Sequence, residues 1–170
     1  MAGEEFKPSE NDYDWLGKGT YFWEANPLRG LEFAGELKRL KRGANIKSPA
    51  VVGAVIDLGL CLDLTTTIGV QHVQDAYRNY IEIVEKSGYP PPRNSSDSMQ
   101  RKLDCAVINN LHKIRQDSNF VAVESVRAVF TEGKPIFDGS GFLHKTHVQI
   151  CVCNPECIKG VFRVPQHQLL

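Results

Sequence analysis

Apolar residues in this chain fall at helical spacing in some stretches and at strand spacing in others, and the changes between the two mark out its elements. Leu28, Leu31, Ala34 or Gly35, and Leu37 recur at the helical period behind Asn26-Pro27, a pair suited to an N-cap and a first helical position. This predicts a helix over 27–42. Residues 50–58, after Pro49, are almost continuously apolar and rich in β-branched side chains, which predicts a central strand covered on both faces. Residues 68–86 carry Val70, Val73, Ala76 or Tyr77, Tyr80 and Val84 on one side, and Ser87-Gly88 followed by prolines ends that helix. A loop over 90–98 leads to another helix, capped by Ser98 and carrying Leu103, Val107, Leu111 and Ile114. The two helices are expected to form a helical insert over about 68–116. Beyond Phe120 the pattern shortens to strands over 121–130, 146–153 and 157–164, with turns at Gly133-Lys134-Pro135 and Asp138-Gly139-Ser140-Gly141. The fold class expected is mixed α+β.

Composition narrows this picture. At 170 residues and 42% apolar content the chain suits a single domain over 1–170 with one core. Twenty Lys plus Arg balance twenty Asp plus Glu, so no overall basic field draws it to nucleic acid or to an anionic membrane. The longest apolar stretch, residues 50–64, is broken by Asp57 and Asp63 and is shorter than the roughly 20 residues of a spanning helix. No membrane partner is expected. The first residues, Met-Ala-Gly-Glu-Glu, lack a secretory pattern, and five cysteines fit no disulfide framework, so the expected location is cytoplasmic with reduced thiols.

The densest chemical signal is Gly17-Lys18-Gly19-Thr20-Tyr21-Phe22, just ahead of the first helix. Glycines let backbone approach a ligand, and an aromatic after them offers a stacking face; a tight turn feeding a buried strand is the plainer reading. This run resembles the glycine-lysine-glycine-isoleucine-tyrosine-phenylalanine segment of ADP-ribosyltransferases of the diphtheria toxin and poly(ADP-ribose) polymerase type. The helix and the apolar strand with trailing Gly59 follow in that family's order, and residues 146–158 are similar to its last motif, with Gln149 at the glutamate position. Asp12-Tyr13-Asp14-Trp15-Leu16-Gly17 and Tyr21-Phe22-Trp23-Glu24 look like a bacterial, toxin-like branch. The likeness covers about residues 12–64 and 140–163.

The resemblance implies an ADP-ribosyltransferase-like split two-sheet core with NAD as substrate in a cleft between the sheets. It implies that Tyr21 stacks on nicotinamide, that Gly19 and Thr20 line the cleft, and that Phe33 closes the ring sandwich. Gln149 would hold the nicotinamide ribose, and Tyr21 and Gln149 would form the catalytic pair. The implied activity is mono-ADP-ribosyl transfer, a glycosyltransferase reaction, to a protein or nucleic-acid acceptor, with NAD hydrolysis as a side activity. A toxin or defence effector of this kind would have an antitoxin or immunity protein as partner.

Two departures from the family pattern matter. Its first motif is a strand bearing a histidine, and no histidine precedes Tyr21. The reading taken is that an N-terminal strand belongs to a longer protein, with Met1 internal; the alternative is a degenerate site in a non-catalytic module that binds a nucleotide or a partner. Glutamine for glutamate also removes a charge that would stabilise a cationic centre, which disfavours polymer elongation.

Other groups have plainer readings. His147, Cys151, Cys153 and Cys157 include zinc-ligand types, but without paired short spacing they are read as small buried residues, and no metal is expected. His147 shares a strand face with Gln149, so with Gln149 in the cleft that the resemblance implies, His147 reaches its rim, toward phosphate, nicotinamide or target; a purely structural histidine is the plainer reading. Glu24 is expected to cap the first helix or meet Arg29, and Arg127 to form a surface ion pair rather than hold a pyrophosphate.

Overall fold

The computed structural model describes residues 6–40, 46–95 and 100–169. The fold is mixed α+β, with two sheets among the described residues. In chain order the elements are β1 (Thr20–Trp23), α1 (Pro27–Arg39), β2 (Val52–Ile56), β3 (Cys61–Asp63), α2 (Thr67–Ser87), α3 (Lys102–Asp117), β4 (Ser125–Phe130), β5 (His147–Val152) and β6 (Ile158–Arg163). The larger sheet has the order β1-β5-β4-β3, antiparallel except where β3 runs parallel to β4; β2 and β6 form an antiparallel ribbon.

Each helix starts where a side chain supplies the missing acceptor for its first amides. Asn26 Oδ1 accepts from Arg29 N at 3.1 Å and Thr66 Oγ1 from Gly69 N at 3.0 Å. Ser98, the expected cap of α3, lies outside the described residues. Asn94 does this work from a distance: its Oδ1 accepts from Leu103 N at 2.9 Å and from Asp104 N at 3.3 Å. Gly88 closes α2 in the left-handed conformation, as expected of Ser87-Gly88. The described part of α1 ends at Arg39, and Arg42 lies outside the described residues.

The apolar stretch 50–64 behaves differently from its pattern. The strand expected over 50–58 is not central: β2 pairs only with β6 in the ribbon and exposes Val52 and Val55, while Cys61–Asp63 of the same stretch forms β3 in the other sheet. The chain turns at Gly59, whose φ of +54° suits glycine. Asp57 Oδ1 accepts from Gly59 N at 3.1 Å, and the Glu124 carboxylate accepts from Leu60 N at 2.9 Å. A Cβ on Gly59 would collide with the Glu124 carboxylate, which would have to leave its hydrogen bond from Leu60 N to make room. Periodicity cannot report such a crossing, because both strands on either side of it are apolar.

The two faces of the four-stranded sheet bury separate cores. On one, Val126, Ala128 and Cys151 pack against Leu16, Leu62, Ala76, Val107, Ile108 and Leu111, so α2 and α3 form a covering layer. On the other, Phe22, Ile150 and Val152 pack against Ile56, Leu58, Cys157 and Ile158, which joins the β2–β6 ribbon to the sheet. No helix among the described residues is long and apolar enough to cross a membrane.

Candidate functional site

Strand alternation decides which side chains share the face under α2 and α3. Tyr21 lies opposite Cys151, Trp23 opposite Gln149, Ala128 opposite Gln149 and Phe130 opposite His147. Residues opposite one another point to the same side, so Tyr21, Trp23, Phe130, His147 and Gln149 lie on one face. The helices cover only part of it. The remainder floors a cleft of about 1030 Å³, walled by α1, by residues 9–15 and by Ser95, Gln100 and Arg101.

Tyr21, Phe33, His147 and Gln149 all line this cleft. Gly19 and Thr20 are not among its lining residues. Thr20 pairs opposite Val152, on the face toward the β2–β6 ribbon. Gly19 runs against β5, where a Cβ would lie 2.6 Å from Cys151 Sγ and from Val152 O. The glycine is needed for strand contact. The space also lies on the opposite side of the sheet from that expected: Phe22, Ile150, Val152 and their partners fill the region between the two sheets.

A chain of ring contacts runs along the cleft. Centroid separations are 4.8 Å for Trp15–Phe130, 5.4 Å for Phe130–His147, 6.4 Å for Trp23–His147 and 5.1 Å for Trp23–Phe33. Phe33 therefore packs on Trp23. Tyr21 leans into the core under α3, its hydroxyl donating to Gly17 O at 2.8 Å and accepting from Leu16 N at 3.1 Å. Burial, with help from Cys151 and Asp14, raises the Tyr21 pKa far above its ordinary value, so the phenol stays protonated.

At the α1 end, Arg29 is 5% exposed beside three carboxylates. Its Nη2 donates to Glu132 Oε2 at 3.0 Å, while Glu36 lies 3.6 Å from Nη1 and Glu32 3.9 Å. Lys145 donates to Glu36 at 2.8 Å. Burial works against ionisation of Glu36, but Lys145 and Arg29 outweigh it and lower its pKa. His147 Nδ1 lies 2.6 Å from Lys145 O. A carbonyl can only accept, so Nδ1 carries the proton and neutral His147 presents a bare Nε2. Burial, then Arg29, lowers its pKa despite that carbonyl.

Among the described residues, Trp23 Nε1, Arg29 Nε, Arg29 Nη1 and His147 Nε2 are buried without hydrogen-bond partners. All belong to side chains lining this cleft. Buried polar groups are usually satisfied, so their concentration here distinguishes the cleft from the rest of the interior.

Gln149 is oriented by Trp15, whose Nε1 donates to Gln149 Oε1 at 2.7 Å. Sequence reasoning missed Trp15, Trp23, Arg29, Phe130 and Glu132 as cleft residues. The Trp15 aromatic signal was visible in the sequence, whereas the Arg29–Glu132 pair spans 103 residues and leaves no local trace.

Two further expectations, on Glu24 and Arg127, resolve outside the cleft. Glu24 binds Arg127, at 2.6 Å and 3.1 Å, rather than Arg29; Arg127 also meets Asp63 at 3.1 Å. Arg127 is thus an ion-pair partner. His147 and Cys153 stand six residues apart on extended chain, roughly 20 Å, too far to share a metal. Among the described residues no His, Cys, Asp and Glu cluster able to hold a metal is formed.

Protein families, curated proteins and solved structures offer no match to this chain.

Proposed function

We propose that the cleft binds NAD and that the protein is a mono-ADP-ribosyltransferase, moving ADP-ribose to a protein or nucleic-acid acceptor with NAD hydrolysis as a side reaction. The proposed setting is a bacterial toxin or defence effector, held in check by an antitoxin or immunity protein. The observation that carries this reading is that Tyr21, Phe33, His147 and Gln149, drawn from distant parts of the chain, line one cleft.

The chemistry of the lining agrees with it. Aromatic rings give a flat, electron-rich floor suited to a cationic pyridinium. Trp23 Nε1 is a donor and His147 Nε2 an acceptor on neighbouring rings of the cleft lining, both buried without a hydrogen-bond partner. As nicotinamide leaves, positive charge grows on the ribose, where correctly placed polar groups lower the barrier. Gln149 offers an amide at that step. Asp14, also in the lining, is held by Ser9 and by Asn11 at 3.3 Å and adds a carboxylate to the cleft.

A binding module without catalysis is the second reading, favoured by one observation. Trp15 takes one acceptor position of the Gln149 oxygen, and the neutral amide brings no charge to a developing cation; its NH₂ can donate to a ribose oxygen but cannot accept from a hydroxyl. Nicotinamide release from NAD by the purified protein, beside Tyr21→Ala and Gln149→Ala, tests the first reading. Release lost in Tyr21→Ala while the variant remains folded supports the enzyme. NAD binding without release supports a nucleotide-binding module, and a lack of binding and of release rejects the NAD cleft in both readings and leaves only a partner-binding module.

A further inference from the structure

We propose that Cys153 and His112 form a reactive thiolate–imidazolium pair, a site at which hydroperoxides oxidise the protein to a cysteine sulfenic acid. The pair is separate from the proposed NAD cleft and does not depend on it: neither residue lines that space.

The selection among five cysteines is geometric. Cys105, Cys151 and Cys157 are buried, and only Cys61 and Cys153 are partly exposed. Cys153 follows β5 and lies against α3, where His112 Nε2 is 3.8 Å from its Sγ. Cys61 has no imidazole partner among the described residues; the Ser125 hydroxyl beside it donates to Leu58 O at 2.6 Å. A thiol becomes a nucleophile as its thiolate, and a neighbouring imidazole able to take the proton is the usual means of holding that form.

The other titratable groups around Cys153 do not compete for this role. Cys151, two residues earlier on β5, packs in the core with Tyr21 and donates its thiol to Lys18 O at 3.6 Å, and its own backbone oxygen lies 3.9 Å from Cys153 Sγ. Cys61 on β3 and Cys157 in the following turn are thiols that burial holds protonated. The Glu124 backbone oxygen accepts from Cys153 N at 2.8 Å, while its carboxylate is engaged with Leu60 N at 2.9 Å and Asn154 Nδ2 at 3.1 Å. The neighbouring Cys151 thiol and then His112 outweigh burial and lower the Cys153 pKa below the ordinary thiol range; the contact that the geometry shows for proton transfer is the one to His112 Nε2.

In the proposed step the thiol proton passes to His112 Nε2, and the sulfur attacks one peroxide oxygen. The S–O bond forms as the O–O bond breaks. The departing oxygen takes the proton from His112 and leaves as water or an alcohol. Cysteine loses two electrons to the peroxide, leaving Cys153 as sulfenic acid.

The test uses the whole protein with two probes, iodoacetamide and hydrogen peroxide followed by dimedone trapping, with modified cysteines mapped by mass spectrometry. At about pH 6, where an ordinary thiol near pKa 8.5 is almost fully protonated, Cys153 is expected to react at least roughly tenfold faster than Cys61. His112→Asn is expected to remove that advantage. The same chain in denaturant, with all its thiols equivalent, supplies the reference rate. Equal labelling of Cys61 and Cys153 in the folded wild-type protein at about pH 6 overturns the proposal whether or not His112→Asn folds. A folded His112→Asn protein with an unchanged profile overturns it as well.

Discussion

The indole nitrogen of Trp15 donates to the side-chain oxygen of Gln149 at 2.7 Å, joining residues 134 apart in the chain. Indole N–H has no acceptor capacity, so this contact decides which end of the amide faces Trp15. Replacing Gln149 by glutamate would keep an acceptor for Trp15 and supply a second, charged oxygen toward the ligand. On the proposed function, Gln149→Glu raises nicotinamide release by about tenfold or more, because the new charge stabilises a developing cation. Release rates of wild type and variant measured side by side check this; no increase in a folded variant that binds NAD removes electrostatic stabilisation from the role of this position.

Tyr21 separates stability from stacking. Tyr21→Phe keeps the ring and loses the hydroxyl bonds to Gly17 O and Leu16 N. The expected cost is about 1–3 kcal/mol of folding stability, since buried backbone groups lose a partner. Urea unfolding measures that loss, while NAD affinity is expected to stay close to wild type.

Arg29 anchors the α1 wall, and its side chain is 6% exposed against Glu132 at 24%. Arg29→Met is expected to destabilise by about 3–5 kcal/mol, because it leaves Glu132 partly buried without its closest cation. Denaturant unfolding reads the loss. The double variant Arg29→Met with Glu132→Gln is expected to recover part of it; equal stability of single and double variants would falsify the coupling.

His147 sets a pH dependence with a defined sign. Its folded-state pKa lies below its unfolded value of about 6.5, so the unfolded chain binds the proton first as pH falls. Stability is therefore fully present above about pH 6.5 and is lost as pH falls toward the folded pKa. Glu36 and Asp63, also depressed in the folded protein, add a second loss below about pH 4. Stability measured from neutral pH downward should show both windows, and His147→Gln should flatten only the upper one.

Gly59→Ala tests the crossing between sheets. Its positive φ and the Glu124 carboxylate 2.2 Å from an added Cβ predict a loss of about 2 kcal/mol or more. Thermal unfolding compared with Gly88→Ala, where a Cβ meets nothing within 4 Å and only left-handed backbone strain acts, separates collision from strain.

Local pattern alone was enough to locate the helices and most of the strands. Asn26-Pro27, Thr66 and Gly88 act within a turn of themselves, so α1 and α2 begin or end where capping chemistry puts them. Alternation likewise placed His147 and Gln149 on one face, because a strand points every second side chain the same way. Tertiary structure decided the rest. Residues 50–58 read as a central strand because burial in either sheet asks for the same residue types; only the Gly59 turn and the contact of Leu60 with Glu124 send β2 and β3 into different sheets. Gly19 and Thr20 stand beside Tyr21 in sequence, yet strand packing and alternation turn them away from the cleft. Arg29 with Glu132, Trp15 with Gln149, and Cys153 with His112 each join distant segments. Periodicity and capping are carried by residues within a few positions of one another, whereas a cleft is made by side chains that meet only after the sheet and its covering helices have packed.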